Sequence, residues 1–311
     1  MMNFTKKQGC KLLPGTRLLG KWHRKPYKIL RELGAGANGT VYLAEAVHGL
    51  VALKVGTDSM SIASEVNVLK HFAKVQGAKL GPSLFDVDDV TIGGDTYPFY
   101  AMEYVRGEDF LRYVQTRGSE WLGLLMIQLL KDLHHLHEAG WVFGDLKPDN
   151  LLVQGPPPRI RLLDVGGTTQ IGRSIKEYTE FFDRGYWGLG SRRAEPSYDL
   201  FSVAMIMINS AYPKRFEKPK ENPLPFLKRR IQENDVLVPF SRPLMKALAG
   251  KYKAASEMRE DLLKAVHHVD TLPKKKQVKH KEKKPSYFID IFLIITFFIL
   301  LYILYLFGKT M

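Results

Sequence analysis

Apolar and polar residues alternate with a period of two along residues 27–55, the pattern of half-buried β-strands. Leu33-Gly34-Ala35-Gly36-Ala37-Asn38-Gly39-Thr40-Val41-Tyr42 interrupts that alternation. Ile29-Leu30 precedes it and Val41-Tyr42-Leu43 follows, so the glycines read as the turn of a hairpin between two strands. The period then changes. Ile62, Val66 and Leu69 recur at helical spacing and predict a helix with one packed face. Residues 121–139 predict a longer helix, whose Leu/Met stripe over 122–130 reads as core packing and not as a cofactor box. Leu151-Leu152-Val153 and Ile160-Arg161-Leu162-Leu163 predict a second hairpin, with the triple proline 156–158 in its turn. Near the end, Ile291 to Phe307 is seventeen residues without a charge, and only Thr296 is plainly polar.

One constellation stands out chemically. Asp145-Leu146-Lys147-Pro148-Asp149-Asn150 follows the long helix, and Asp164-Val165-Gly166 begins fourteen positions after Asn150. One carboxylate can take a proton from a hydroxyl, and a lysine sits two residues later. An amide and a second carboxylate can share a divalent cation. Phosphoryl transfer needs such parts: a group that orients the nucleophile, and cations that hold the phosphates. Backbone without Cβ atoms can lie close over phosphates, which suits the glycine-rich hairpin. A dinucleotide-binding glycine motif would open a helix instead. Val51-Ala52-Leu53-Lys54 puts a lysine on a strand, and Glu65 on the predicted helix is available as its partner.

In this order the motifs resemble those of the Hanks-type serine/threonine protein kinases, small bacterial members in particular, over about residues 27–270. The resemblance implies an α+β, bilobal fold. A five-stranded antiparallel sheet with one helix would form the small lobe over 27–105, and a larger helical lobe would follow over 106–272. It implies ATP as phosphate donor and Mg²⁺ as cofactor, with Mn²⁺ as a substitute. Asp145 is implied to orient the acceptor hydroxyl and receive its proton, and Lys147 to contact the γ-phosphate. Asn150 and Asp164 are implied to bind the metal. Lys54, held by Glu65, would take the α- and β-phosphates beneath Gly34, Gly36 and Gly39. Tyr100 to Gly107 resembles the hinge between lobes. Met102 would back the adenine pocket, and the backbone of Glu103 and Val105 would meet the adenine edge. Leu33, Val41, Ala52 and Leu152 would supply apolar faces, and Glu108 or Asp109 the ribose contact. Asp199 is implied to brace the catalytic loop through its backbone.

The chain also departs from that family. Phe143-Gly144-Asp145 stands where H-R-D is usual, and the missing arginine normally pairs with a phosphorylated activation loop. Val165 replaces the usual Phe of D-F-G, and Ala194-Glu195-Pro196 is a permuted form of A-P-E. Gly144-Asp145-Leu146 is also similar to kinase-like small-molecule phosphotransferases, although Lys147 and the complete glycine-rich loop weigh against them. The expected function is a protein serine/threonine kinase. The alternatives are a small-molecule phosphotransferase of kinase-like fold and a membrane-bound pseudokinase scaffold. His134, His135 and His137 lie at the end of the long helix with few carboxylates near, so they read as helix residues and not as a metal site.

Composition adds the location. With 311 residues, 45% of them hydrophobic, the chain can build a two-lobed core plus an appendage. Its formal net charge is +14, and residues 274–284 hold seven lysines against Glu282. A basic excess can mean nucleic acid, but no nucleic-acid motif is visible, and this charge adjoins the apolar run. A membrane surface is therefore the expected partner, with protein substrates as the other. As a helix the seventeen uncharged residues span roughly 25 Å, against a hydrocarbon core of about 30 Å. A buried core helix would show polar spacing on one face, and this run has none. Residues 288–307 are thus expected to form a single transmembrane helix after a basic linker, 273–287, and to offer a surface for self-association. The lysines place the kinase domain on the cytoplasmic side. Residues 1–26 are expected to be a basic, flexible arm without a signal peptide. Cys10 is the only cysteine, so no intramolecular disulfide forms, in keeping with a reducing compartment.

Overall fold

The structure, a computed structural model, describes residues 11–36, 38–73 and 81–271. The chain divides into compact units of residues 1–269 and 270–311. Of the second unit only residues 270 and 271, the end of a helix, are among the described residues.

The first unit is bilobal. Its small lobe is an antiparallel sheet of β1 (Arg17–Leu19), β2 (Pro26–Gly36), β3 (Gly39–Ala46), β4 (Gly49–Gly56), β5 (Leu84–Ile92) and β6 (Asp95–Glu103). The strand order is β1-β2-β3-β4-β6-β5. Alternation sorts the side chains onto two faces. Ile29, Tyr42, Ala44, Val51 and Leu53 join an outer apolar layer with Tyr27 and Phe99. Ala52 and Met102 face the opposite way, into the main core, where Ile62, Val66 and Leu69 of helix α1 (Ser59–Phe72) cover them. Asp58 caps that helix by accepting from Ser61 N at 2.8 Å.

The sheet has six strands, one more than expected, and the extra strand comes from the arm expected to be flexible. Residues 11–26 are ordered because Leu12 and Leu18 are buried in the outer layer, each contributing roughly 1.5–3 kcal/mol. Leu18 pairs with Tyr27 in the β1–β2 ladder. The arm then crosses to the far edge, where Lys21 N donates to Asp89 O at 2.8 Å. The Asp88 carboxylate accepts from the backbone of Trp22 (3.0 Å) and His23 (2.8 Å). Gly20 is required there, since a Cβ would lie 2.3 Å from Asp88 Oδ2.

The large lobe continues through β7 (Glu108–Asp109), α2 (Phe110–Arg117), α3 (Glu120–Glu138), β8 (Trp141–Val142), β9 (Leu151–Gln154), β10 (Arg159–Leu162) and β11 (Thr169–Gln170). It ends in helices α4 (Arg184–Trp187), α5 (Pro196–Ala211), α6 (Pro223–Gln232), α7 (Ser241–Leu248) and α8 (Ala255–Thr271). The stripe Leu122, Leu125, Met126, Leu129, Leu130 and Leu133 of α3 is fully buried, as its periodicity predicts. Every residue of α5 from Tyr198 to Asn209 is buried. A helix enclosed on all sides forms the centre of a lobe, and this one carries Asp199 into it. Among the described residues no helix is long and apolar enough to cross a membrane. The expected linker 273–287 and span 288–307 lie outside the described residues.

Candidate active site

Lys54 projects from β4, opposite Val41 on one side and Tyr100 on the other. It is 7% exposed. Such a cation needs partners, and Nζ lies 2.6 Å from Glu65 Oε2 and 3.9 Å from Asp164 Oδ1. Only Thr57 and Asp58 separate β4 from α1, so the short sequence gap still brings Glu65 opposite the lysine. The turn is tight: a Cβ on Gly56 would lie 2.5 Å from Ile62 Cγ1. Tyr100, which sequence reasoning placed only in the hinge, donates to Glu65 Oε2 at 2.7 Å. Burial, then the Glu65 charge, pushes its phenol well above the usual range, so it stays a donor. Removing either member of so buried an ion pair costs roughly 3–5 kcal/mol.

A cavity of about 340 Å³ opens beside this pair. Leu33, Val41, Ala52, Met102 and Leu152 form its apolar walls, and Glu103 and Val105 its hinge edge. Gly34 and Lys54 also line it, with Asn150 and Asp164 at the polar end. Gly36 and Gly39 belong to the hairpin above and do not line the cavity. Gly39 holds φ +148°, and a Cβ there would lie 2.4 Å from Val55 O. The Glu103 side chain is engaged behind the hinge, where Arg161 Nη2 donates to it at 2.9 Å. Burial opposes ionisation of that carboxyl, but hydrogen bonds from Arg161 and Ser83 hold it below its ordinary range. Of the two residues expected to meet the ribose, Asp109 caps α2 by accepting from Arg112 N (2.9 Å), and Glu108 lies 3.6 Å from Arg112 Nε.

The catalytic loop hangs from α5. Asp199 accepts from Phe143 N at 2.8 Å and from Gly144 N at 2.9 Å, and His137 Nε2 lies 2.9 Å from it. This is the backbone brace the sequence implied, and it accounts for the one buried histidine of the three. His134 and His135 sit beside Glu138 on the helix surface. Asp145 follows directly. Lys147 Nζ donates to its Oδ2, Thr179 Oγ1 donates to its Oδ1 at 3.0 Å, and Lys147 reaches Thr179 at 3.3 Å. Asn150 Nδ2 donates to the Asp145 carbonyl at 2.9 Å. That fixes the amide and leaves its oxygen for a cation. Asn150 and Asp164 offer the hard oxygen donors that Mg²⁺ takes, so the residues present fit the expected ion.

Thr179 is a site residue to which the sequence did not point. Thr168 and Thr169 are fully buried. Gly144 holds φ +85°, and a Cβ there would lie 2.6 Å from Gly167 O, so no side chain fits where an arginine is usual. Val165 fills the core position beside Gly81. Two ion pairs hold the segment around the permuted Ala194-Glu195-Pro196. Asp183, wholly buried, lies 2.7 Å from Arg192 Nη2 and accepts from Tyr198 OH at 2.9 Å. Arg184 pairs with Glu195 at 2.6 Å, and Pro196 starts α5.

Comparison with known proteins agrees with this geometry. A family model described as the protein kinase domain matches residues 27–275. The serine/threonine-protein kinase YabT of Bacillus subtilis strain 168 is 57% identical over 261 residues, covering 82% of this chain and 76% of that protein. The serine/threonine-protein kinase STE20 of Debaryomyces hansenii is 27% identical over 193 residues, which is 58% of this chain but 17% of that protein. The crystal structure of the kinase domain of Mycobacterium tuberculosis PknI superposes with a TM-score of 0.57 at 20% identity, covering 82% of this chain and 99% of that one, a likeness of fold. The chain belongs to the protein kinase family and is a serine/threonine protein kinase of the bacterial Hanks type.

Proposed function

We propose that this kinase is anchored in a membrane and transfers the ATP γ-phosphate to serine and threonine hydroxyls of proteins. One observation carries the chemical part. Lys54, Glu65 and Asp164 meet at the polar end of the cleft, while Asn150 links that end to Asp145, Lys147 and Thr179.

ATP enters with its adenine between the apolar walls and its α- and β-phosphates on Lys54. The acceptor hydroxyl approaches Asp145, whose carboxylate is fixed from both sides by Lys147 and Thr179. The substrate oxygen bonds to the γ-phosphorus as the bond to the β–γ bridging oxygen breaks. The hydroxyl proton passes to Asp145, and Lys147 faces the charge on the transferred group. A Mg²⁺ held by Asn150 and Asp164 supplies charge neutralisation of the phosphates. The full chain in detergent, incubated with labelled ATP, generic proteins and small alcohols, tests this reading. Label on protein supports it. Label on alcohols points to a small-molecule phosphotransferase, and nucleotide binding without transfer points to a pseudokinase scaffold.

Membrane anchoring rests on the uncharged run within 288–307 and the lysines before it. The full chain should sediment with membranes and resist carbonate extraction. Its release by carbonate would leave only a peripheral basic contact. A single span also concentrates the kinase near membrane substrates and offers a helix for self-association.

Regulation should differ from that of kinases with an arginine before the catalytic aspartate. Gly144 cannot receive a loop phosphate, and the activation segment is already held by Ile175 N to Arg192 O (2.9 Å) and by Arg192 on Asp183. Phosphatase treatment before assay should therefore leave the rate essentially unchanged. A large loss of activity on complete dephosphorylation would overturn this.

A further inference from the structure

The activation segment touches four separate parts of the site within four residues. Lys176 Nζ donates to Ser64 Oγ at 3.1 Å, one residue before Glu65 on α1. Glu177 Oε1 accepts from Asn38 Nδ2, at the tip of the glycine-rich hairpin, at 2.7 Å. Glu177 Oε2 lies 3.6 Å from the point where a Cβ on Gly166 would sit, beside Asp164 Oδ1 (3.3 Å) and Glu65 Oε1 (3.5 Å). Thr179 then reaches Asp145. Among the described residues, Asn38 to Glu177 is the hydrogen bond that joins the hairpin tip to the large lobe.

The ladder ties the β3 arm of the tip to β4, with Gly39 opposite Gly56, but among the described residues the β2 arm has no second strand beside it there. Gly34 and Gly36 are exposed, and a Cβ on either would meet nothing within 4 Å. Glycine backbone loses the most conformational freedom when fixed, so closure over a nucleotide is costly unless something holds the tip beforehand. A charge-assisted bond from an amide to a carboxylate is suited to that task.

We propose that Glu177 is a positioning residue: through Asn38 it holds the glycine-rich hairpin closed over the phosphate end of the nucleotide cleft. The inference rests on the nucleotide-binding reading of that cleft. It makes the segment carrying Lys176 and Glu177 the element that sets hairpin, α1 and catalytic aspartate in one arrangement, a role that a loop phosphate cannot play through Gly144. A second effect opposes it. The Glu177 carboxylate also adds negative charge near the phosphates, which by itself weakens ATP binding. Hydrogen bond and charge are separable, because Glu177→Gln keeps an acceptor for Asn38 and removes the charge.

The test uses the full chain in detergent and reads both KM for ATP with kcat and the Kd of a fluorescent Mg–ATP analogue. Glu177→Ala and Asn38→Ala should each raise KM and Kd roughly 3- to 10-fold, the range of one lost hydrogen bond, with kcat much less affected. The double variant should be no worse than the worse single one, and Glu177→Gln should stay near wild type. Unchanged or lower values in either alanine variant would overturn the proposal. So would multiplying effects in the double variant, or Glu177→Gln behaving like Glu177→Ala. Asp164→Ala, run alongside, separates the two readings. If it binds the analogue as wild type does, the cleft assignment fails; if it loses binding while both alanine variants are normal, only the Glu177 latch fails.

Discussion

Asp145→Asn should slow phosphoryl transfer by roughly 10²–10⁴-fold, the contribution of a positioned proton acceptor. The side chains are nearly the same size, so the loop backbone can stay where it is. The change removes the basic oxygen and turns a donor toward Lys147 or Thr179, which already donate to both carboxylate oxygens. Mg–ATP binding should survive. Asn150 bonds the carbonyl of Asp145 and not its side chain, and Lys54 and Asp164 lie apart from it. Single-turnover transfer to a protein acceptor, with nucleotide affinity measured in parallel, separates the two effects. A variant that transfers phosphate as fast as wild type removes Asp145 from the mechanism.

Asp199→Asn should cost stability and activity together. The Asp199 carboxylate, buried in α5, accepts from two backbone N–H groups and lies against His137. An amide offers only one oxygen, so at least one buried donor loses its acceptor. Leaving a buried donor unpaired costs about 1–3 kcal/mol, and more where the lost partner is charged. The expected loss is about 2–4 kcal/mol, or roughly 5–15 °C in Tm for a domain of this size. Because Phe143 and Gly144 lead straight into Asp145, kcat should fall even at temperatures where the variant is folded. Thermal unfolding and kcat measured on the same preparation decide this. A variant with wild-type Tm and kcat would show that the loop is held by other contacts.

The parts of the site readable from sequence are those whose residue types have few other uses in that order. Lys54, Asp145, Lys147, Asn150 and Asp164 stood out because their motifs, in that order, resemble those of protein kinases, and the structure gathers them around one cleft. Glu65 was chosen because the kinase resemblance calls for a partner to Lys54 on the next helix, and the packed face of Ile62, Val66 and Leu69 leaves it free to meet the lysine. Thr179 was not legible. A threonine in an irregular segment carries no periodic signal, and its bond to Asp145 spans thirty-four residues. The same holds for Arg161 on Glu103, fifty-eight residues apart, and for Arg192 on Asp183. Gly144 was legible as a departure but not as a necessity. Only the approach of Gly167 O explains why no arginine fits there. In the small lobe alternation marked β2, β3 and β4 within residues 27–55, and the count of five strands came from the kinase resemblance. The sixth gave no signal, because three residues are too few to show a period.

That short strand bears on where the domain begins. The family match starts at residue 27, after β1 has ended. A chain cut at that boundary would keep every residue that handles phosphate. It would also bare Tyr27, Ile29, Tyr42, Val51 and Leu53 on the outer sheet face and leave β2 with an open edge. An uncovered apolar patch beside unpaired backbone donors and acceptors recruits the edge of another molecule. A form of the domain that stays free of self-association should therefore begin upstream of Leu12, ahead of residue 27 where the family match starts.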